Sequence, residues 1–436
     1  MWNDPIRGGA FARAVIAGAS VAVAAIVPPQ QAVGQQVSYP GGARSGAALP
    51  SEPSWDGIYA LSEDLRRNNN LLPPDIYTTD YIDGIVIKAE WSQIEPSPGS
   101  YDWTLVDQEV DAAVAHGKKI TIGVEAGEAT PAWLYAAPYN VPNETFEVGP
   151  HSGMRQRGCA PVTLPVPWNN DFEQAYTAMM QALSEHLQTI PGAYSLVTRV
   201  KLTGINTVDE EFHLASACGG SDADTHIWRK LGFRPRRVFA AGQILFDAVN
   251  TAFPDKLLNL DVIAHGGLPT INNAGQIVTK NSPSYVKVEW DLIKWALRPD
   301  SGFNTRFGVQ WDAFGTDASR SPRMVPLAGR RGAATGWQLN DWGGRTLGSE
   351  CGDTEEVAVA CDGRNYEKIL DGAVRKHGEF LEVWSVNVPQ FPIAFRHAQA
   401  LLARRANPAV GESWTKQSAP AGNSSKSQAI RQIHLN

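Results

Sequence analysis

The stretch Val200-Lys-Leu-Thr-Gly-Ile-Asn-Thr-Val-Asp-Glu-Glu-Phe-His-Leu214 sets an apolar, β-branched run against a polar turn and three consecutive acids. The run from Val197 to Ile205 predicts a buried strand, and Gly204 and Asn206 mark the place where it turns. Asp209, Glu210 and Glu211 follow within a turn's length. Carboxylates crowded at the mouth of a buried strand repel one another and lose water. Both effects raise the pKa of at least one of them and suit it to hold a proton near neutral pH, as a general acid must. The competing reading is a solvated acidic loop or the first turn of a helix, where carboxylates meet the positive end of the dipole.

The same unit recurs on either side of this stretch: a short apolar strand, a loop rich in Gly, Pro and Trp, then a helical pattern. Predicted strands are Ile58–Leu61, Gly84–Ala89, Lys119–Glu125, Val197–Ile205, Leu257–Ile263, Arg306–Trp311, Thr335–Leu339 and Glu379–Val386. Helical periodicity marks Leu105–His116, Phe172–Gln188, Pro235–Ala252, Ser284–Leu297 and Tyr366–Lys376. Eight strands interleaved with helices predict an α/β fold with a parallel sheet, and at that count a single closed (β/α)8 TIM barrel with elaborated loops rather than an open sheet. No G-x-G-x-x-G follows the first strand, which disfavours a dinucleotide fold.

With 436 residues, 43% of them hydrophobic, the chain can bury a large core. A net charge of −7 gives no electrostatic case for nucleic acid or an anionic membrane as partner. Residues 1–34 have the layout of a secretory signal peptide: Arg7 and Arg13, an apolar run from Ala14 to Val27, and the small residues Ala32-Val33-Gly34 before a cleavage point. An uncleaved anchor is the alternative. Residues 35–53 read as a flexible linker, 54–405 as the barrel and 406–436 as a disordered tail. The expected location is secreted or periplasmic, with no membrane contact after cleavage.

Export implies an oxidising compartment, where the four cysteines pair. Cys351 and Cys361, ten apart in one loop, suit a local disulfide and leave Cys159 and Cys218 to form another; free thiols are the alternative. Nine histidines, none in H-x-H or H-E-x-x-H spacing, and no Cys/His ligand pattern point away from a bound metal, and no cofactor is expected.

Two motifs carry a family resemblance. The segment Glu90-Trp91-Ser92-Gln93-Ile94-Glu95-Pro96-Ser97-Pro98-Gly99-Ser100-Tyr101-Asp102-Trp103, with Asp107 beyond it, resembles the segment after the second barrel strand of clan A glycoside hydrolases, especially the family 42 beta-galactosidase type. Gly123-Val124-Glu125-Ala126-Gly127 followed by Thr130-Pro131-Ala132-Trp133-Leu134 is similar to the third strand and Pro-Trp-Leu loop of the same enzymes. The resemblance implies a carbohydrate substrate, a Glu acid/base after the fourth strand and a Glu nucleophile at the end of the seventh.

The fourth-strand position falls on Glu211, with Glu210 close behind, although the family's Asn-Glu pair is absent and Asn206 stands apart from both. The seventh strand carries Gln338 where the nucleophile is implied, and an amide cannot form a glycosyl-enzyme bond. Glu382, a lone charge in the apolar run Phe380-Leu381-Glu382-Val383-Trp384, becomes the candidate second carboxylate. A structural ion pair from Glu382 to an Arg such as Arg306 is the competing reading, and Asp312 and Asp341 stand in reserve. Trp91, Trp133, Trp337, Trp342 and Trp384 are candidate stacking platforms, each with core packing as the alternative. Asn206, His213, Gln338 and Asn340 are candidate partners of sugar hydroxyls. Glu125 is expected to line the cleft from the third strand, or with Glu128 to cap the next helix.

Overall fold

The computed structural model describes residues 54–62, 71–148, 160–207, 209–214, 223–262, 267–314, 324–339 and 366–406, all within one compact unit. The expected signal peptide, linker and tail, both cysteine pairs, and Asn340, Asp341 and Trp342 lie outside the described residues.

The described strands are β1 (Gly57–Leu61), β2 (Gly84–Glu90), β3 (Lys119–Glu125), β4 (Asn143–Val148), β5 (Ala160–Pro165), β6 (Val197–Lys201), β7 (Leu257–Val262), β8 (Phe307–Phe314), β9 (Ala334–Leu339) and β10 (Phe380–Trp384). Eight of them close a parallel barrel in the order β1, β2, β3, β6, β7, β8, β9, β10 and back to β1. Parallel neighbours need a crossover between them, and helices supply it: Thr104–His116 after β2, Asn170–Thr189 after β3, Pro235–Ala252 after β6 and Val288–Ala296 after β7. Residues 366–375 do the same between β9 and β10, and Pro392–Ala406 follows the last strand. No described helix is long and apolar enough to cross a membrane.

Every predicted barrel strand is present. The fourth, however, stops pairing at Lys201 rather than Ile205. Gly204, at φ +98°, takes the chain out of the extended region. The segment beyond it folds across the mouth of the barrel, where the Phe212 amide donates to the Asp261 carbonyl at 2.8 Å and the His213 amide to the Ile205 carbonyl at 3.1 Å. The antiparallel ribbon of β4 and β5 was not predicted. Its signal was the alternation in two short runs, which buries Phe146 and Val148 on one strand and Val162 and Leu164 on the other, with Phe146 paired to Val162.

The helix Asn170–Thr189 shows how the outer layer forms. Asn169 caps it, its side-chain oxygen accepting from the amides of Asp171 (2.9 Å) and Phe172 (3.2 Å). Phe172, Tyr176, Met179, Met180, Leu183 and Leu187 recur at the three-to-four spacing of one helical face and are buried against the barrel. Each such side chain contributes roughly 1.5–3 kcal/mol through burial.

The barrel interior is a separate, smaller core of Tyr59, Leu61, Val86, Phe380 and Trp384. Gly336 makes room for it, since a Cβ there would lie 2.1 Å from the Phe380 ring. The Arg199 guanidinium lies 3.7 Å from the Tyr59 ring centre and 3.9 Å from that of Phe380, so the two faces hold the cation.

Outside the barrel wall, Glu109 is buried with its carboxyl accepting from the Leu72 amide at 2.6 Å and bonded to the Tyr77 hydroxyl. Burial pushes its pKa up to about 7, above an ordinary value of 4.5. Because the folded pKa is raised, the neutral acid's stabilising contribution is complete below pH 4.5 and is lost as pH climbs through 7. The loss is on the order of 3 kcal/mol. Glu109→Gln, which stays neutral, is expected to show a smaller fall in unfolding midpoint between acid and alkaline buffers than wild type; equal slopes refute the assignment.

Candidate active site

Charged and amide side chains interrupt the apolar strands at alternate positions, and the period of two aims them all into the barrel. They are Lys88 on β2, Glu125 on β3, Arg199 and Lys201 on β6, Asn259 and Asp261 on β7, Gln310 and Asp312 on β8, Gln338 on β9 and Glu382 on β10, every one buried. Charges in such a place persist only when paired, because desolvation exceeds what a lone charge regains.

Lys201 is the hub. Its Nζ lies 2.5 Å from Asp261 Oδ2, 2.8 Å from Glu382 Oε2 and 3.1 Å from Glu210 Oε1. Lys88 adds a second ammonium 2.7 Å from Glu210 Oε1. Gln310 donates from Nε2 to Glu382 Oε2 and to Asp312 Oδ1, each at 2.8 Å, and Asn259 bonds Asp261 Oδ1. Arg199 approaches Glu382 Oε1 at 3.6 Å. Accepting no hydrogen bond among the described residues are Glu125 Oε1, Glu210 Oε2, Asp312 Oδ2, Gln338 Oε1 and, although ion-paired with Arg199, Glu382 Oε1. Unmet acceptors gathered at the C-terminal end of a parallel barrel mark the place where such folds bind ligands.

The crowding separates the protonation states. Burial disfavours the charge on Glu210, yet Lys88 and Lys201 outweigh it and hold the carboxylate at about 2. Burial, with Asp209 and Asp312 nearby, pushes Glu211 well above the carboxylate range. Asp312 rises through burial and Asp261, Glu125 through burial and Glu210, and Asp261 reaches about 7 through burial despite Lys201. Glu211, like Asp209, keeps a window on solvent, its side chain 16% exposed. An acid held low and an acid pushed up therefore sit side by side on one loop.

Two sets of residues could ligate a metal ion by spacing: Asp209, Glu211 and His213, and Glu210, Asp261 and Glu382. The ammonium of Lys201 already bridges the second set.

Glu210, Glu382 and Gln338 meet at this cluster, as does Glu125 through Lys88 and Glu210. Trp384 joins them from inside the barrel, with Lys88 Nζ 5.7 Å from its ring centre. Other expectations need correction. Trp91 is fully buried between Phe172 and Tyr176 and donates to Glu95 Oε2 at 2.7 Å, so it packs the outer core. Trp337 faces outward against Trp311 and Phe314. Trp133 is half-buried, bonded to the Glu95 carbonyl at 2.9 Å and packed on Tyr139. Asn206 spans its own turn, accepting from the Gly204 amide and donating to the Asp209 carbonyl, and His213 is tied to the Thr207 hydroxyl. Arg306 does not reach Glu382, because its guanidinium caps the carbonyls of Phe253 and Lys256.

Lys88, Arg199, Lys201 and Asp261 were not anticipated. The signal was the one that marked Glu382, a charge at an alternate position of an apolar strand.

Comparison with known proteins follows the geometry. Residues 85–194 match the family model of the glycoside hydrolase family 42 beta-galactosidases. Comparison with curated proteins gave no match. Among solved structures, the chain is similar to an intracellular xylanase of Thermoanaerobacterium saccharolyticum JW/SL-YS485 at 13% identity, covering 78% of this chain and 90% of that one with a TM-score of 0.43. It is also similar to the catalytic domain of a Paenibacillus polymyxa beta-amylase at 9% identity, covering 76% and 92% with a TM-score of 0.45. The chain is a closed (β/α)8 barrel that, from β2 through the helix after β5, is similar in sequence to the family 42 beta-galactosidases.

Proposed function

We propose that the protein is an exported glycoside hydrolase that cleaves an O-glycosidic bond with two carboxylates. Glu211 is the proton donor: it is protonated, reaches solvent, and follows the barrel strand where the family resemblance places an acid/base. Glu382 is the second carboxylate. Its Oε2 is held by Lys201 and Gln310, while its Oε1 accepts no hydrogen bond among the described residues and faces the Arg199 guanidinium at 3.6 Å, which leaves that oxygen's lone pairs for a glycosyl carbon. Oxygens of Glu210, Asp261 and Glu382 lie within 4.8 Å of one another. Retention is the favoured course because the family resemblance implies a carboxylate nucleophile, and the separation of Glu211 and Glu382 in a substrate complex tests it: about 5–5.5 Å for retention, about 6.5–9.5 Å for inversion.

The observation that carries the reading is the placement of Glu211 on the loop after the fourth barrel strand, beside the Lys201-paired cluster of Glu210, Asp261 and Glu382, in a chain whose residues 85–194 match a glycosidase family. Gln338, standing where a nucleophile is implied, favours a second reading in which the barrel binds saccharide without cleaving it. Incubating the full chain with aryl β- and α-glycosides and an oligosaccharide panel separates the two. Sugar release that Glu211→Gln diminishes supports the enzyme; saturable binding with no release at high protein concentration supports the binder.

A further inference from the structure

The least expected element of the cluster is a lysine at its centre. Glu210 comes from the loop after β6, Asp261 from β7 and Glu382 from β10, three places far apart in sequence that meet only at Lys201 Nζ. The lysine stem crosses the barrel because the neighbouring strand offers no side chain: a Cβ at Gly123 of β3 would lie 3.1 Å from Lys201 Cβ and 3.2 Å from its Cδ. A single ammonium thus sets both the separation of the carboxylates and the charge each one feels.

We propose that Lys201 is the positioning residue of this site, holding the Glu210 and Glu382 carboxylates in place and in charge balance from the groove left by Gly123. The proposal rests on the glycosidase reading for its catalytic consequence, not for its physical content. Two observations support it beyond the contacts. Glu210 is held low, where burial alone would raise it, by Lys88 and Lys201. Gln310 presents its amide to the same Glu382 oxygen that Lys201 holds, so Oε2 is committed and Oε1 is left over. The other charged groups around the cluster are Asp209 and Glu211 on the loop after β6, Asp312 on β8, Lys88 on β2, Glu125 on β3 and Arg199 on β6.

The test uses the full chain as wild type, Lys201→Met, Lys201→Arg and Gly123→Ala. Carboxyl titration followed by carbon NMR needs no substrate. In Lys201→Met the Glu210 midpoint is expected to rise by at least about one pH unit, because one of its two cations is gone. On a cleaved aryl glycoside, kcat is expected to fall by about tenfold or more with KM little changed, because Glu382 loses the ammonium that holds its Oε2. Lys201→Arg keeps the charge and should recover part of the loss. A folded Lys201→Met with wild-type carboxyl midpoints and kcat overturns the proposal.

If that variant does not fold, Gly123→Ala decides, since it displaces the stem and leaves every charge in place. A displaced Glu210 midpoint supports the positioning role, and an unmoved one overturns it. Should wild type release no sugar from any substrate, the glycosidase reading fails while the titration still decides what Lys201 does.

Discussion

Glu211→Gln is expected to lower kcat/KM by about 10²–10⁴-fold on substrates whose leaving group is another sugar, with the barrel intact. The loss follows from what a glycosidic oxygen requires as its bond breaks. An alkoxide is a poor leaving group, and a proton delivered in the transition state removes the developing charge. Glutamine has no proton to give at that pKa. Nitrophenyl glycosides depart without protonation, so the same variant should lose far less on them, and the contrast between substrates is the measurement. The basic limb of the pH profile belongs to the same group. Burial together with Asp209 and Asp312 raises Glu211 well above the carboxylate range, so the donor persists near neutrality and is lost as pH rises through its pKa. In Glu211→Gln that limb should flatten. Equal losses on both substrates, or a wild-type rate on the substrates whose leaving group is a sugar, remove Glu211 from the donor role.

Glu382→Gln combines a catalytic and a structural loss. The carboxylate is 0% exposed and faces Lys201, Arg199 and Gln310. Taking its charge away leaves Arg199 between two rings with Asp261 as the remaining carboxylate near it, and breaking a buried pair costs about 3–5 kcal/mol. The loss here should fall below that range, because Asp261 and Glu210 keep Lys201 paired. Turnover is expected to drop by about three orders of magnitude, the scale on which loss of a covalent or charge-stabilising group is felt. Urea unfolding and sugar release on the same preparation separate the two effects. A variant that loses stability while its folded fraction turns over normally would make Glu382 a strut and pass the second role to Glu210, whose Oε2 is also unpartnered among the described residues.

The barrel was legible because its information is local. Each strand is a short, largely apolar run such as Ile85-Val86-Ile87 or Leu258-Asn259-Leu260, each crossover a helical stripe such as Phe172, Tyr176 and Met180, and their alternation admits few topologies. The acidic loop was legible for the same reason: three acids after a strand are visible in one line of sequence. Glu382 could be singled out as a charge with no local reason to be there. What faced it could not, and Arg306 was the wrong guess. Trp91 and Trp337 were misjudged for a related reason, since an aromatic side chain looks the same in sequence whether its strand or loop turns it toward a cleft or toward the helices.

The order of elements, the closure of eight strands and the presence of inward charges were therefore determined by the sequence alone, because periodicity and propensity act over a few residues. The partners of those charges were decided only by the tertiary structure. Lys201 meets Glu382 across 181 positions of chain and Asp261 across 60, and Gly123 clears their space from a third strand. Coulomb interaction and desolvation depend on distance and burial in space, so which acid keeps its proton is set only when the barrel closes.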